Sequence, residues 1–95
     1  MNLFDQITAR DKSIAVSPIL KDVATASIIR IQRKGVLNKH QSKTHALLIL
    51  LSGQAIYRED NREVILSRPN DYVRIPARVT HELIAQEESV LLLIQ

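Results

Sequence analysis

Ala46-Leu-Leu-Ile-Leu-Leu51-Ser-Gly53-Gln-Ala-Ile-Tyr57-Arg-Glu-Asp60-Asn61-Arg-Glu-Val64-Ile-Leu66 decides the fold class. An apolar run, a glycine hinge, a second run and a polar pair follow one another within a short span. Asp60-Asn61 has the residue types that tolerate the positive φ of a two-residue hairpin turn. In that register Glu59 faces Arg62 and Arg58 faces Glu63, so two opposite-charge cross-strand pairs support it. The same signature extends outward. Strands are expected at Ile14–Leu20, Val23–Gln32, Ala46–Leu51, Gln54–Arg58, Glu63–Ser67, Tyr72–Ile75, Thr80–Ala85 and Val90–Ile94. Val, Ile and Leu number 31, and short strands separated by turn residues argue for an all-β sandwich or barrel. Arg68-Pro69-Asn70-Asp71 reads as a β-turn, with Pro fixing φ at its first corner and Asn accepting the left-handed second corner. Gln86-Glu-Glu-Ser89 reads as a plain polar turn.

Ala46–Leu51 and Val90–Ile94 are apolar on both faces, which an open one-sided sheet does not require. One face can line an interior; the other needs a cover. A second copy of the chain is the simplest cover, so a homodimer is expected. The competing reading is that Leu3, Phe4 and Ile7 of an N-terminal arm, residues 1–12, fold over that surface. Asn2 can cap a single helical turn there, and an extended arm is an equal alternative. Residues 13–95 form the barrel domain.

Composition narrows the function classes. Ninety-five residues allow one domain with one modest core. Cysteine is absent, which excludes disulfides, thiolate metal sites and a thiol nucleophile, and fits a reducing cytoplasm. The apolar runs fall far short of the ~20 residues a membrane helix needs, and the start has no signal-like apolar stretch. No membrane partner is expected. The net charge is +3, with Arg30, Arg33, Lys34, Lys39 and Lys43 clustered. That cluster reads either as a rim attracting an anionic ligand or as a solvated, charge-protected strand edge. Aromatics are 3% of the chain and no helix is long enough for a groove, so nucleic acid is not an expected partner.

The histidines are His40, His45 and His81. The segment from His40 to Gly53, with Asn70-Asp-Tyr-Val-Arg-Ile-Pro76-Ala-Arg-Val-Thr-His81, resembles the two sequence motifs of the cupin family. Aligned on Gly53, His40 takes the place of the first histidine, Ser42 of the second and Ala46 of the glutamate. Aligned on Pro76, His81 takes the third histidine's place, Asn70 and Arg78 those of glycines, and Ala85 that of an asparagine. Asn is the best substitute for Gly where φ is positive. Leu51-Ser-Gly-Gln-Ala-Ile-Tyr57 resembles the strand–Gly–strand hinge between the motifs. The resemblance covers the chain from Ile14 to Ile94 and implies a small antiparallel β-barrel of cupin or jelly-roll type.

The resemblance also implies a metal held by three histidines and a glutamate. Of those ligand places only His40 and His81 carry a ligand here. His45 is the candidate third: it differs from His40 by an odd number, so one continuous strand sends the two to opposite faces. A loop or bulge over Gln41–Thr44 would break that parity. The expected cofactor is therefore none, or one divalent transition metal (Zn, Ni, Cu, Fe or Co) on His40, His81 and His45.

The pocket is expected to carry His40, His81 and Tyr72, with Tyr57 as an alternative partner for His81. No serine-nucleophile elbow is present, and Glu59-Asp60 and Glu87-Glu88 lie in expected turns. Three functions stay open. The first is a pocket that binds a small organic ligand, anionic ones included, with a degenerate metal site. The second is a metal-dependent dioxygenase or isomerase. The third is a non-catalytic sensor or interaction module.

Overall fold

The computed structural model describes residues 7, 13–20 and 24–95. The expected helical turn at Leu3 and Phe4, and most of the arm, lie outside the described residues. Nine strands follow in chain order: β1 (Ile14–Leu20), β2 (Ala26–Ile31), β3 (Val36–His40), β4 (Ala46–Ser52), β5 (Ala55–Glu59), β6 (Arg62–Leu66), β7 (Tyr72–Ile75), β8 (His81–Ala85) and β9 (Ser89–Ile94). They form a five-stranded sheet, ordered β1-β2-β9-β4-β7, and a four-stranded sheet, ordered β3-β8-β5-β6. All pairings are antiparallel. The chain is all-β, as its sequence indicates, and among the described residues no helix is long and apolar enough to cross a membrane.

The core lies between the sheets. Ile29, Ile31, Leu48, Leu50, Val73, Ile75 and Leu91 come from one sheet and Ala55, Tyr57, Leu66, Leu83 and Ala85 from the other. The apolar run of β4 turns out to alternate in exposure: Ala46, Leu48 and Leu50 are buried, Leu47, Ile49 and Leu51 half-buried. Each fully buried Leu or Ile contributes roughly 1.5–3 kcal/mol, so the pleat orientation of β4 is strongly fixed.

Part of the second apolar face is covered within the chain. Ile7 is buried against Ile28 and Val90, with Ala15 and Leu51 beside it, and so covers one end of the outer face of the five-stranded sheet. Farther along, Leu47, Ile49, Leu92 and Ile94 share that face with Tyr72, which is 57% exposed.

The hairpin register is as read: Arg58 pairs with Glu63 and Glu59 with Arg62. Their side chains form ion pairs at 2.9 and 2.6 Å. Asp60 and Asn61 do not have positive φ, contrary to expectation. The cross-strand pairs therefore hold a register that the primed turn was expected to set. Asn70 has φ 79°, and Asp71 donates its N–H to the Arg68 carbonyl across the expected turn. Gln86–Glu88 is a turn, but Ser89 begins β9 and is fully buried. Its hydroxyl donates to carbonyls of Gln54 and Glu87 and accepts the Gln54 N–H. It ties the Gly53 hinge to the β8–β9 turn. Sequence reasoning placed no strand at Val36–His40, because Val-Leu-Asn-Lys-His has no clean alternation and carries exposed polar residues.

Candidate functional site

β3 is the element that makes the site. Leu37 pairs with Leu83 on the inner face of the four-stranded sheet. His40 lies three positions on and by strict alternation would point outward. The register shifts between Leu37 and His40, and the extra residue returns His40 to the inner face, opposite His81. A bulge of this kind re-aims one side chain. His81 is 4% exposed, whereas His40 is exposed, so the pair runs from the interior to the rim.

The rings meet edge to face, with centroids 4.2 Å apart and planes at 63°. His81 Nε2 lies 3.0 Å from His40 Nε2. The Nδ1 atom of His81 lies 3.0 Å from the Val79 carbonyl, and that of His40 2.9 Å from the Asn38 carbonyl. Burial pushes the His81 pKa down; the Val79 carbonyl opposes that, His40 adds to it and Glu59 opposes it.

Between the sheets lies a cavity of about 200 Å³. Its apolar walls are Ile29, Leu48, Ile75 and Leu93 on one sheet and Leu37 and Leu83 on the other. Its polar groups are His40, His81, Tyr57, Gln41, Ser42 and Gln95. Gln41 donates to the Thr80 hydroxyl, and Arg78, at φ 64°, donates its N–H to the Ser42 carbonyl. These bonds tie the loop after β3 to the loop before β8 and so frame the mouth.

A charged strut stands behind His81. The Tyr57 ring is fully buried and lies 5.6 Å from the His81 ring. Its hydroxyl donates to Glu59 Oε2 at 2.5 Å. Arg62 donates to both Glu59 oxygens, at 3.2 and 2.6 Å, and to the Arg74 carbonyl of the other sheet at 2.8 Å. Arg62 chiefly holds the Glu59 carboxyl below the usual range, while burial and Glu59 push the Tyr57 phenol up.

Of the residues singled out in the sequence, the structure brings His40 and His81 together. Tyr72 stands elsewhere: Val73 and Ile75 take the inner face of β7, so Tyr72 and Arg74 point out, lining a surface hollow with Leu47 and Ile49. Tyr57 is the tyrosine on the chamber. His45 also stands apart. Residues 41–45 form a loop that passes from one sheet to the other, so strand parity does not apply. His45 is exposed and lines a different hollow with Leu47, Arg74 and Ile94. Glu59 and Gln41 are the site residues that sequence reasoning left unassigned to it, while Tyr57 entered only as the alternative partner for His81. Alternation through Ala55, Tyr57 and Glu59 is the signal that places Tyr57 and Glu59 on the inner face.

The metal implied by the resemblance needs about three or four protein ligands. The residues do not make that set: no group of three or more His, Cys, Asp or Glu suited to a metal occurs among the described residues. Ser42 replaces an imidazole, Ala46 is a buried core residue, and Glu59, the carboxylate whose charge acts on His81, is committed to Arg62 and Tyr57.

No protein-family model and no curated protein matches the sequence. Solved structures match it in shape. A cupin superfamily protein from Desulfitobacterium hafniense superposes with a TM-score of 0.86 at 19% identity, covering 94% of this chain and 82% of that one. A cupin 2 conserved barrel domain protein from Leptotrichia buccalis gives 0.87 at 21% identity, over 99% of this chain and 46% of that one. A cupin-like protein from Thermotoga maritima gives 0.78 at 22% identity, over 86% and 67%. The chain has the small cupin fold.

Proposed function

We propose that this cupin-fold chain binds a small organic molecule in the chamber between its sheets, through a polar mouth built on His40 and His81. The observation that carries this reading is the pairing of the two imidazoles, 3.0 Å apart, on a cavity whose remaining walls are mostly apolar. Ligand sites commonly combine apolar walls with a few convergent polar groups. At about 200 Å³ the cavity suits a ligand of a few heavy atoms rather than a nucleotide or sugar chain. The incomplete donor set weighs against the metal-dependent dioxygenase or isomerase.

The test is ligand-induced thermal stabilisation across a panel of small metabolites, with His40→Ala and Leu37→Phe variants alongside. A ligand that binds only the folded chain stabilises it by RT ln(1 + [L]/Kd). The expected result is a stabiliser whose effect drops at least tenfold in apparent affinity in both variants. Stabilisation that survives both, or none across the panel, overturns the reading.

We further propose that a second copy covers the open outer face formed by Leu47, Ile49, Leu92, Ile94 and Tyr72, making the working protein a homodimer. The absence of cysteine suits a reducing compartment such as the cytoplasm.

A further inference from the structure

The open part of the outer face of the five-stranded sheet is two rows deep. Ile94, Leu47 and Arg74 lie side by side across β9, β4 and β7, and Leu92, Ile49 and Tyr72 form the next row. Beyond the second row Ile7 packs over Val90 and Leu51, and on β2 it packs over Ile28, so the face ends there in a built cover. Each open row is apolar on β9 and β4 and changes character on β7, the edge strand. One row ends in a cation, Arg74, and the other in an aromatic ring, Tyr72, and both side chains are exposed. Leu47 and Arg74 stand as a ridge between two hollows, one holding Ile49, Asn70 and Tyr72 and the other His45, Ile94 and Gln95. Arg74 makes no ion pair among the described residues.

We infer that a second copy packs on this face about a two-fold axis that runs across the strands between the two rows, so that the Arg74 guanidinium of each copy lies over the Tyr72 ring of the other. This deepens the homodimer reading proposed above and rests on it. In that arrangement Leu47 meets Ile49 and Ile94 meets Leu92 between copies, and the ridge of each enters the Tyr72 hollow of the other. The Arg74–Tyr72 contact is made twice. An arginine over an aromatic face is attracted to the negative face of the ring, more strongly as water is excluded.

Other two-fold placements meet obstacles in the structure. Sheets packed face to face keep their strands within about 30° of each other, so the axis of such a pair runs either along the strands or across them. An axis along β9 sets β4 over β2, where Ile7 already covers Ile28. An axis along β4 sets Arg74 over Ile94 of the other copy, which takes a cation out of water with no partner for it. An axis across the strands on the first row sets Arg74 against Arg74, a like-charge contact. An axis across the strands on the second row drives Leu47 toward Leu51 of the other copy, which lies under Ile7. The axis between the rows avoids all four. It uses open side chains, sets apolar groups on apolar groups and gives the cation a partner. The alternation that turns Tyr72 away from the chamber presents its ring here.

The test uses Arg74→Leu and Tyr72→Leu, both at exposed positions of an edge strand. Each alone removes both Arg74–Tyr72 contacts of the dimer and should raise its dissociation constant about tenfold in sedimentation equilibrium. An interface that is only apolar would instead tighten on Arg74→Leu. Mixing the two variants, one of them nitrogen-15 labelled, restores one Arg74–Tyr72 contact in the heterodimer and none in either homodimer. Native mass spectrometry should then show the heterodimer as about three quarters of all dimers, against about one half for random pairing. Neither variant chain holds both residues, so the excess reports a contact between copies and not one within a chain. Tyr72→Phe keeps the ring face and should dimerise like the wild type. Random pairing in the mixture, a mixture that associates no more tightly than either variant alone, dimerisation unchanged or tightened by Arg74→Leu, or Tyr72→Phe as weak as Tyr72→Leu overturns the inference. If one of these occurs while Ile49→Asp still dissociates the dimer, the homodimer survives and this two-fold placement falls. If the wild-type chain is a monomer at high concentration, both fall.

Discussion

Tyr57→Phe isolates the strut behind the site. The substitution removes one oxygen and keeps the ring, so no cavity opens in the core. It deletes the 2.5 Å bond to Glu59 Oε2. Hydrogen bonds to charged groups contribute about 1.5–3 kcal/mol. The Glu59 side chain is 11% exposed, so water cannot readily take the place of the hydroxyl. Arg62 still holds both carboxylate oxygens, so no buried charge is orphaned. The expected loss is therefore about 2 kcal/mol, in the lower half of that range. For a domain of this size it corresponds to a Tm decrease of about 8–16 °C. Urea unfolding followed by circular dichroism, repeated from neutral to acid pH, measures it. The pH dependence carries a second check. Arg62 first, and Tyr57 after it, depress the Glu59 pKa in the folded chain. A group so depressed stabilises fully above its unfolded value, about 4.3, and loses that contribution as pH falls through the folded value. The gap between wild type and Tyr57→Phe should thus be widest above about pH 5 and narrow on acidification. A loss under about 0.5 kcal/mol, or a gap indifferent to pH, refutes the charge-assisted strut.

Three further outcomes are expected. Arg78→Gly should raise stability by about 1 kcal/mol in urea melts, because Arg78 is a non-glycine residue held at positive φ with an exposed position in a turn. Gly53→Ala should destabilise by well over about 1 kcal/mol, since Gly53 has φ 93° and an added methyl would collide with the Glu88 carbonyl and Ser89. Sedimentation should give about twice the 10.8 kDa chain mass, reduced toward a single chain by Ile49→Asp on the open sheet face. A wild-type chain that sediments as a monomer at high concentration would refute the covering copy.

Much of the fold was legible because burial follows alternation. Tyr72-Val-Arg-Ile75 places Val73 and Ile75 on one face, and the structure buries those two. The same alternation, followed through, sends Tyr72 outward with Arg74. Choosing Tyr72 as a pocket residue overlooked a signal that was present. The hairpin charges fixed a register that the turn residues alone did not. The positive φ at Asn70 was readable from residue type, whereas φ 64° at Arg78 and φ 68° at Lys34 are imposed by context on residues with no preference for it.

The site was less legible for a physical reason that His40 makes explicit. Its orientation depends on one extra residue between Leu37 and itself, and nothing in Val-Leu-Asn-Lys-His marks a bulge. That bulge exists because β3 must satisfy two demands at once. Leu37 must pack against Leu83 in the core, and the chain must leave the sheet at Gln41 to reach β4 in the other sheet. Both are tertiary conditions set by β8 and β4, far along the chain. The loop that resolves them also carries His45 to the other sheet, so spacing from His40 says nothing about which way His45 points. A motif alignment on Gly53 and Pro76 identifies the two imidazoles that meet, but their 3.0 Å separation comes only from the bulge, and the orientation of each ring is held by the carbonyl behind it.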